Sequence, residues 1–207
     1  MLELNEDSYI ISDTHLGHKN IIKHESSRNE SKEYQIINNW NKTITKDDYI
    51  LHMGDFALSN IEKYAKKLNG KKTIIKGNHD KDKFINVLKE YGWNIIDEVV
   101  INIKEDISNL KYKKHHLLCC YITDINGLRV MFSHFPVFND NSYDEKYKEV
   151  TDILEYLFLE LECDINIHGH THSKNAKEQF CINSCVEKTD FKPKKIKEIL
   201  SKKIDFI

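Results

Sequence analysis

The sequence predicts an α/β fold in which buried strands alternate with helices. Three short apolar runs, each ending in a polar turn, are typical of buried strands and occupy residues 8–12, 48–53 and 72–76. The segments between them, residues 32–43 and 61–68, carry apolar side chains three and four positions apart, which is the period of an amphipathic helix. Strands joined through helices pair in parallel, and the active sites of such sheets lie at the carboxyl ends of the strands.

The helices have recognisable faces and ends. The apolar face of the first helix comprises Tyr34, Ile36, Ile37 and Trp40. The second helix ends at Asn69-Gly70, because glycine accommodates the left-handed conformation that commonly follows a helix. A third helix-like segment follows the third strand and extends to Tyr91.

The middle of the chain has a different character. Residues 99–103, 117–122 and 128–132 are rich in β-forming side chains. The sequence Asn126-Gly127 before the last of them indicates a tight hairpin turn. The charged residues 104–116 predict an exposed connection.

The remaining segments complete the alternation. Residues 143–161 have helical spacing, residues 163–167 form an apolar run typical of a strand, and residues 180–186 are β-like. The tail, residues 192–203, predicts a basic amphipathic helix with Pro193 in its first turn.

Length and composition bound the classes of protein to consider. The chain has 207 residues and no linker rich in Pro, Gly or Ser, which favours a single domain over residues 1–207. Lys and Arg number 31 against 33 for Asp and Glu, so an extended nucleic-acid groove is not expected. Five cysteines without paired spacing favour reduced thiols, and the acidic residues 1–7 do not resemble a signal peptide. We therefore expect a cytoplasmic protein without membrane contact.

Three histidines at alternate positions, His168, His170 and His172, follow the apolar run near the end of the chain. Alternate side chains on an extended backbone leave from one face, so the three imidazoles would converge on one point. Imidazole is the commonest metal ligand, which makes this stretch a candidate for half of a metal site. The alternative is a polar turn with incidental histidines.

Each of five predicted strands is followed by a loop that offers Asp, Asn or His. The five loops carry Asp13-Thr14-His15, Gly54-Asp55, Gly77-Asn78-His79-Asp80, Ser133-His134-Phe135-Pro136 and Gly169-His170-Thr171-His172. Singly, each has an ordinary interpretation: Asp55 closes a turn, Asp80 caps the next helix, and His134 is a half-buried imidazole. Five such loops after five predicted strands make independent accidents a poor explanation.

In this order the motifs resemble those of the calcineurin-like metallophosphoesterases, which are D-x-H, G-D, G-N-H-[DE], H and G-H-x-H. All five stand between Asp13 and His172, so the resemblance spans most of the chain. The opening residues 12–22 further resemble the short single-domain bacterial and phage members of the family. The resemblance implies a four-layer α/β/β/α sandwich, in which two mixed sheets lie face to face with helices outside and the metal site lies at the carboxyl ends of the strands.

The resemblance also implies a centre of two divalent metal ions, drawn from manganese, iron, zinc and cobalt, with manganese favoured for activity. Carried over by position, the implied ligands of the first ion are Asp13, His15 and His172, those of the second ion are Asn78, His134 and His170, and Asp55 bridges both. His79 would face the substrate as the catalytic residue that protonates or stabilises the leaving oxygen.

One departure separates the chain from the phosphoprotein phosphatase branch. There the second motif continues as G-D-x-V-D-R-G, whereas here Asp55 is followed by Phe56-Ala57-Leu58-Ser59-Asn60. The Asp that orients the catalytic histidine and the Arg that binds phosphate are both missing. This disfavours a protein phosphatase and leaves the residue that would orient His79 unassigned. Asp80 is adjacent to His79, but capping of the next helix explains it equally well.

Two further histidines have weaker roles in the prediction. His18, three residues after His15, is a candidate substrate-binding residue, with surface polarity as its alternative. His168 is interpreted as a satisfied core histidine, with contact to the site from beneath as its alternative.

The predicted function is a dinuclear metal-dependent hydrolase of small phosphoesters, including nucleotides, and more a phosphodiesterase than a protein phosphatase. One alternative is a phosphomonoesterase, or a phosphodiesterase of nucleotides or nucleic-acid ends. An alternative of another class is a non-catalytic interaction module on the same fold, although such modules ordinarily lose ligands that are intact here.

Overall fold

The computed structural model describes residues 4–138 and 142–204, and it confirms the α/β class. Residues 1–3, which belong to the segment judged unlike a signal peptide, lie outside the described residues. None of the helices in the described ranges is both long and apolar enough to cross a membrane.

The first half of the chain forms one mixed sheet with its crossover helices. Its elements are β1 (Tyr9–Ile11), α1 (Ile21–His24), α2 (Lys32–Thr43), β2 (Tyr49–His52), α3 (Ile61–Lys67), β3 (Lys71–Ile75), α4 (Asp82–Glu90) and β4 (Asn94–Ile96). Strands β1 to β4 are parallel neighbours in chain order. The carboxyl ends of the first three strands therefore lie side by side, as the strand–helix alternation predicts.

The second half of the chain forms the other sheet and adds one edge strand, Lys194–Lys195, to the first sheet. Its elements are β5 (Val99–Asn102), β6 (Cys120–Ile125), β7 (Leu128–Ser133), α5 (Lys148–Glu160), β8 (Ile165–His168), β9 (Cys181–Asn183), β10 (Lys194–Lys195) and α6 (Ile196–Ile204). The second sheet has the order β5-β6-β7-β8-β9, and only β6 and β7 are antiparallel neighbours. Their hairpin turns at Asn126-Gly127, where both residues have positive φ as the predicted tight turn requires.

Three apolar clusters separate four layers. The first lies between the first sheet and α2 to α4, around Trp40 and Tyr64. The second lies between the two sheets, where Leu51 faces Phe132. The third lies between the second sheet and α5, around Leu154. This is the α/β/β/α sandwich that the resemblance implies.

The tail differs from the prediction. Instead of entering a helix at residue 192, the chain adds Lys194–Lys195 antiparallel to β1, and α6 begins only at Ile196. Pro193 has no N–H to donate and is compatible with the start of an edge strand, so it precedes β10 rather than opening the helix. Ile196 then donates its N–H to the carbonyl oxygen of Ser8.

Candidate metal centre

The loops after β1, β2, β3, β7 and β8 meet at one edge of the two sheets, and they carry the residues that the motifs single out. Two groups there have the spacing of metal ligands, with candidate atoms within 4.8 Å of one another: Asp13 with His15 and His172, and Asp13 with Asp55 and His134. The structure thus brings together side chains that are up to about 160 positions apart in the sequence.

Asp13 is anchored through one carboxylate oxygen and presents the other. Its Oδ2 accepts hydrogen bonds from the hydroxyl of Ser12, the backbone N–H of His170 and the thiol of Cys185. Its buried Oδ1 has no hydrogen-bond partner among the described residues and lies 3.7 Å from His15 Nε2. His172 Nε2 lies 3.9 Å from the same oxygen. Burial raises the pKa of Asp13, but the surrounding imidazoles outweigh it and hold that pKa well below its usual value.

Asp55 is divided in the same way. Its Oδ1 accepts the backbone N–H of His79 at 2.8 Å. Its Oδ2 faces three imidazoles, at 3.6 Å from His15 Nε2, 3.7 Å from His134 Nε2 and 3.9 Å from His79 Nε2. One oxygen thus fixes the side chain, while the other lies between His15 of the first group and His134 of the second.

His134 lies against Asn78, the candidate ligand from the loop after β3. Its Nδ1 donates to the carbonyl oxygen of Met53 at 2.9 Å, so Nε2 of the neutral imidazole is an acceptor. That atom lies 2.9 Å from Oδ1 of Asn78, which is also an acceptor. A metal ion, a proton on Nε2, or an amide turned to present its NH₂ group to Nε2 would each account for this contact. Burial lowers the pKa of His134, but the charges of Asp55 and Asp13 outweigh it and raise that pKa.

A cleft of about 370 Å³ lies beside these groups, and its lining includes His170, His79 and His18. The His170 ring packs 5.2 Å from the His134 ring, centroid to centroid. The His79 side chain is 51% exposed, and burial of the remainder lowers its pKa. The His18 ring lies 5.5 Å from that of His15, and burial together with the charge of His15 lowers the pKa of His18 to about 4. All three therefore lie where the sequence places them, and their roles stay predictions.

The side chains converge for a different reason from the predicted one. The alternation of His168, His170 and His172 was expected to act on an extended backbone, but β8 ends at His168, and His170 and His172 have φ of 68° and 50°. Asp13 and His15, expected on one side for the same reason, have φ of 54° and 46°. Left-handed backbone at a non-glycine residue costs roughly 1–3 kcal/mol and is concentrated at functional sites.

His168 and His52 are buried beneath the loops. Nδ1 of His168 donates to the carbonyl oxygen of Gly169 at 2.8 Å, as expected for a core histidine, although its buried Nε2 has no partner among the described residues. Nε2 of His52 lies 2.9 Å from Oγ1 of Thr14, which itself donates to the carbonyl oxygen of Phe56. Because the single hydroxyl hydrogen of Thr14 is already used, His52 is the donor and supports the loop between Asp13 and His15.

Two glycines leave room for the carboxylates. A Cβ at Gly77 would overlap Oδ1 of Asp55, and a Cβ at Gly169 would overlap Oδ2 of Asp13. The backbone at both positions must approach a carboxylate oxygen that is already anchored, which no larger residue allows.

A model of the calcineurin-like phosphoesterase superfamily domain matches residues 8–186 of this chain. The chain belongs to this superfamily. The two groups around Asp13 and Asp55 are accordingly candidate ligand sets of the kind expected for its divalent metal ions.

Relatives of the chain include proteins from bacteria and archaea. A protein of unknown function from Aquifex aeolicus is 31% identical and superimposes over 94% of this chain and 97% of its own length, with a TM-score of 0.72. An uncharacterized protein from Methanocaldococcus jannaschii is 42% identical over 81 residues, 35% of this chain and 46% of that protein, so the match spans about half of its length. A structure described as a novel archaeal phosphodiesterase is 21% identical, with 84% of this chain and 81% of that chain covered and a TM-score of 0.41.

Asp80 has a role that the sequence did not reveal. It was weighed as a helix cap or as the partner of His79, but α4 is preceded by Lys81, and Asp80 accepts the backbone N–H groups of Asp55, Phe56 and Gly77. Burial and the negative charge of Asp55 raise the pKa of Asp80 to about 6.

No role was predicted for Arg28 or Glu187, although both contact the first group of candidate ligands. Arg28 donates to the carbonyl oxygen of Asp13, and Oε1 of Glu187 lies 3.3 Å from Nδ1 of His172. Arg28 lies in a segment without a motif, and Glu187 follows the β-like segment that was given no role. The sequence offered one signal for Glu187, which is that this carboxylate follows a β-like segment closely, as the candidate ligands do.

Proposed function

We propose that the chain is a hydrolase of phosphoesters that uses two divalent metal ions, and that it acts on phosphodiesters rather than phosphoproteins. The observation that carries the proposal is the division of labour in the two carboxylates. Each of Asp13 and Asp55 fixes one oxygen by hydrogen bonds and directs the other toward imidazoles at 3.6 to 3.9 Å. Two ligand atoms that each lie about 2.0–2.2 Å from the same ion are roughly 3 to 3.5 Å from each other. The contacts of Asp13 and Asp55 with the imidazoles are close to that separation.

The proposed ligand sets follow from these positions. The first ion takes Asp13, His15 and His172, the second takes Asn78, His134 and His170, and Oδ2 of Asp55 faces both. The unpartnered atoms of Asp13 and His15 and the 2.9 Å approach of His134 Nε2 to the Asn78 amide support this fit. Mixed nitrogen and oxygen ligands suit manganese, iron, zinc or cobalt, and we propose manganese for activity.

Two such ions, when bound, supply a nucleophilic water at neutral pH and neutralise phosphoryl oxygens. The chain itself supplies the remaining parts. With two carboxylates against two divalent ions, the site keeps a positive surplus that attracts a phosphate anion. His79, half-exposed in the cleft beside Asp55, would protonate or stabilise the departing oxygen.

The shape of the cleft supports a diester. A second cavity of about 560 Å³ adjoins the cleft, and the two share His15, His18 and Ile21. A phosphodiester carries a group on each side of phosphorus, and two adjoining cavities provide space for both. The residues missing after Asp55 disfavour a protein substrate.

The decisive test is hydrolysis of bis-p-nitrophenyl phosphate by the purified chain supplied with Mn²⁺. We expect turnover that a chelator abolishes and added Mn²⁺ restores, and faster turnover than with the monoester p-nitrophenyl phosphate. Activity indifferent to chelation would contradict the metal centre. Binding of Mn²⁺ without hydrolysis of any phosphoester in a substrate screen would favour a non-catalytic module.

A further inference from the structure

A buried ion pair lies behind the first proposed metal position. Nε and Nη2 of Arg28 each lie 2.7 Å from Oε1 of Glu187, and the two side chains are only 3% and 1% exposed. Buried charges persist only when they are paired and hydrogen-bonded, because their removal from water costs several kcal/mol per ion. The partners are 159 positions apart, so local structure does not explain the contact.

Glu187 also contacts a proposed metal ligand. The same Oε1 lies 3.3 Å from Nδ1 of His172. A carboxylate only accepts, so Nδ1 carries the hydrogen and Nε2 faces Oδ1 of Asp13 at 3.9 Å. A carboxylate that accepts from the second nitrogen of a metal-binding imidazole fixes its tautomer and orientation.

Arg28 joins this carboxylate to the loop on the other side of the position. Its Nη1 donates to the carbonyl oxygen of Thr14 at 2.9 Å, and its Nη2 donates to that of Asp13 at 2.6 Å. Both carbonyls belong to the segment in which Asp13 and His15 adopt left-handed backbone. One guanidinium thus stabilises the strained loop and the carboxylate that holds His172.

We propose that Glu187, anchored by Arg28, is a positioning residue that holds Nε2 of His172 toward the first metal ion. This role rests on the proposed function, since it requires an ion among Asp13, His15 and His172. It predicts that loss of Glu187 lowers the binding affinity for one ion selectively. The described contacts of the Arg28–Glu187 pair are with His172 and the loop that holds Asp13 and His15, which form the first proposed ligand set.

The test is a calorimetric titration of the metal-free full chain with Mn²⁺. We expect two ions per wild-type chain. In Glu187→Ala, one of the two should bind about 10–100-fold more weakly, the usual loss when a partner behind a metal ligand is removed, while the other is unchanged. Glu187→Gln keeps an acceptor for Nδ1 and should lose less affinity at that ion.

Glu105→Gln is the control for the loss of a carboxylate that pairs with an arginine away from the proposed ligands. Glu105 also pairs with an arginine, Arg129 at 2.6 Å, but Arg129 lies at the start of β7, whereas His134 follows the end of that strand. The control should bind both ions like wild type. Thermal melts of the metal-free variants report any general loss of stability, which a purely structural role would produce without selective loss of one ion.

Each outcome decides the matter. Selective weakening of one ion, larger in Glu187→Ala than in Glu187→Gln, supports the positioning role. If Glu187→Ala does not fold, a selective loss in Glu187→Gln relative to Glu105→Gln is required instead. Unchanged binding, or equal weakening of both ions, overturns the role alone. A wild-type chain that binds no Mn²⁺ overturns the proposed function and this role with it.

Discussion

The carboxylate of Asp80 accepts the backbone N–H of Asp55 at 2.7 Å, so a residue of the loop after β3 fixes the backbone of the loop after β2. The same carboxylate accepts from Gly77 at 2.9 Å and from Phe56 at 3.0 Å. It therefore satisfies three buried backbone donors where Asp55 must hold a left-handed conformation with φ of 57°. The backbone of Asp55 is thus held by a residue that does not itself line the cleft.

The first prediction concerns Asp80→Asn. An amide keeps one acceptor oxygen but turns an NH₂ donor toward backbone donors, so we expect a loss of about 1–3 kcal/mol in the free energy of unfolding. Urea denaturation of the metal-free chain measures it. Asp82→Asn is the control, because the Asp82 side chain is 87% exposed and its substitution should change stability by less than about 0.5 kcal/mol. Equal losses in the two variants would contradict the role of Asp80.

The second prediction compares Asp55→Asn with His18→Ala. Oδ2 of Asp55 lies between the two proposed ligand sets, so replacing the carboxylate should lower kcat/KM for bis-p-nitrophenyl phosphate by more than about 100-fold, beyond the loss usual for an outer partner of a ligand. His18 also lines the cleft but belongs to neither proposed ligand set, so His18→Ala should lower kcat/KM far less. Similar activity in both variants would show that Asp55 does not bridge.

The third prediction concerns His79→Asn. If His79 acts on the leaving group, turnover should fall by about 10²–10⁴-fold, the usual contribution of general acid–base catalysis. The Mn²⁺ content, measured by elemental analysis, should stay at the wild-type value, because the proposed ligand sets do not use the half-exposed His79 ring. Loss of metal from this variant would instead identify His79 as a ligand.

The fourth prediction uses the buried His52. Burial lowers the pKa of His52 to about 3, although the charges of Asp13 and Asp55 oppose this. The unfolded chain, with a histidine pKa near 6.5, binds the proton first as pH falls, so His52 contributes stability above about pH 6.5 that is lost progressively below it. In His52→Gln, the slope of unfolding free energy against pH between 6 and 5 should decrease by about 1 kcal/mol per unit.

That slope is measured by urea unfolding of the metal-free chain at several pH values. Comparing slopes rather than stabilities removes the constant packing loss that the substitution introduces. A slope identical to that of wild type would mean that His52 does not change its protonation on unfolding.

Much of the fold was predictable because the longer elements are strongly periodic. Helix α2 spans Lys32–Thr43 as predicted, since its apolar side chains recur at helical spacing over three turns. The two-residue strand Lys194–Lys195 and the three-residue strand Asn94–Ile96 were not predicted. Strands this short contain too few residues to show alternation, and pairing with a neighbour alone defines them.

The sequence singled out the residues of the two candidate ligand groups, whereas it did not indicate the geometry that brings them together. Asp13 and His15 follow a strand, and their residue types identify them, but nothing in the sequence indicates that both adopt left-handed backbone. That conformation depends on contacts from elsewhere, such as Arg28 on the carbonyl of Asp13. Glu187 was missed for the same reason, because its partners are distant in the sequence.

The contact between Arg28 and Glu187 has a consequence for synthesis on the ribosome. The first ligand set needs residues from both ends of the family domain, with Asp13 and His15 made early and His172 and Glu187 made late. Contacts of such separation carry a loop-closure cost, and on the ribosome they cannot form before the later residue has been made. A nascent chain that has already paired strands β1 to β4 would therefore still lack His172 and Glu187, and the proposed first ligand set would be complete only after the second sheet has been made.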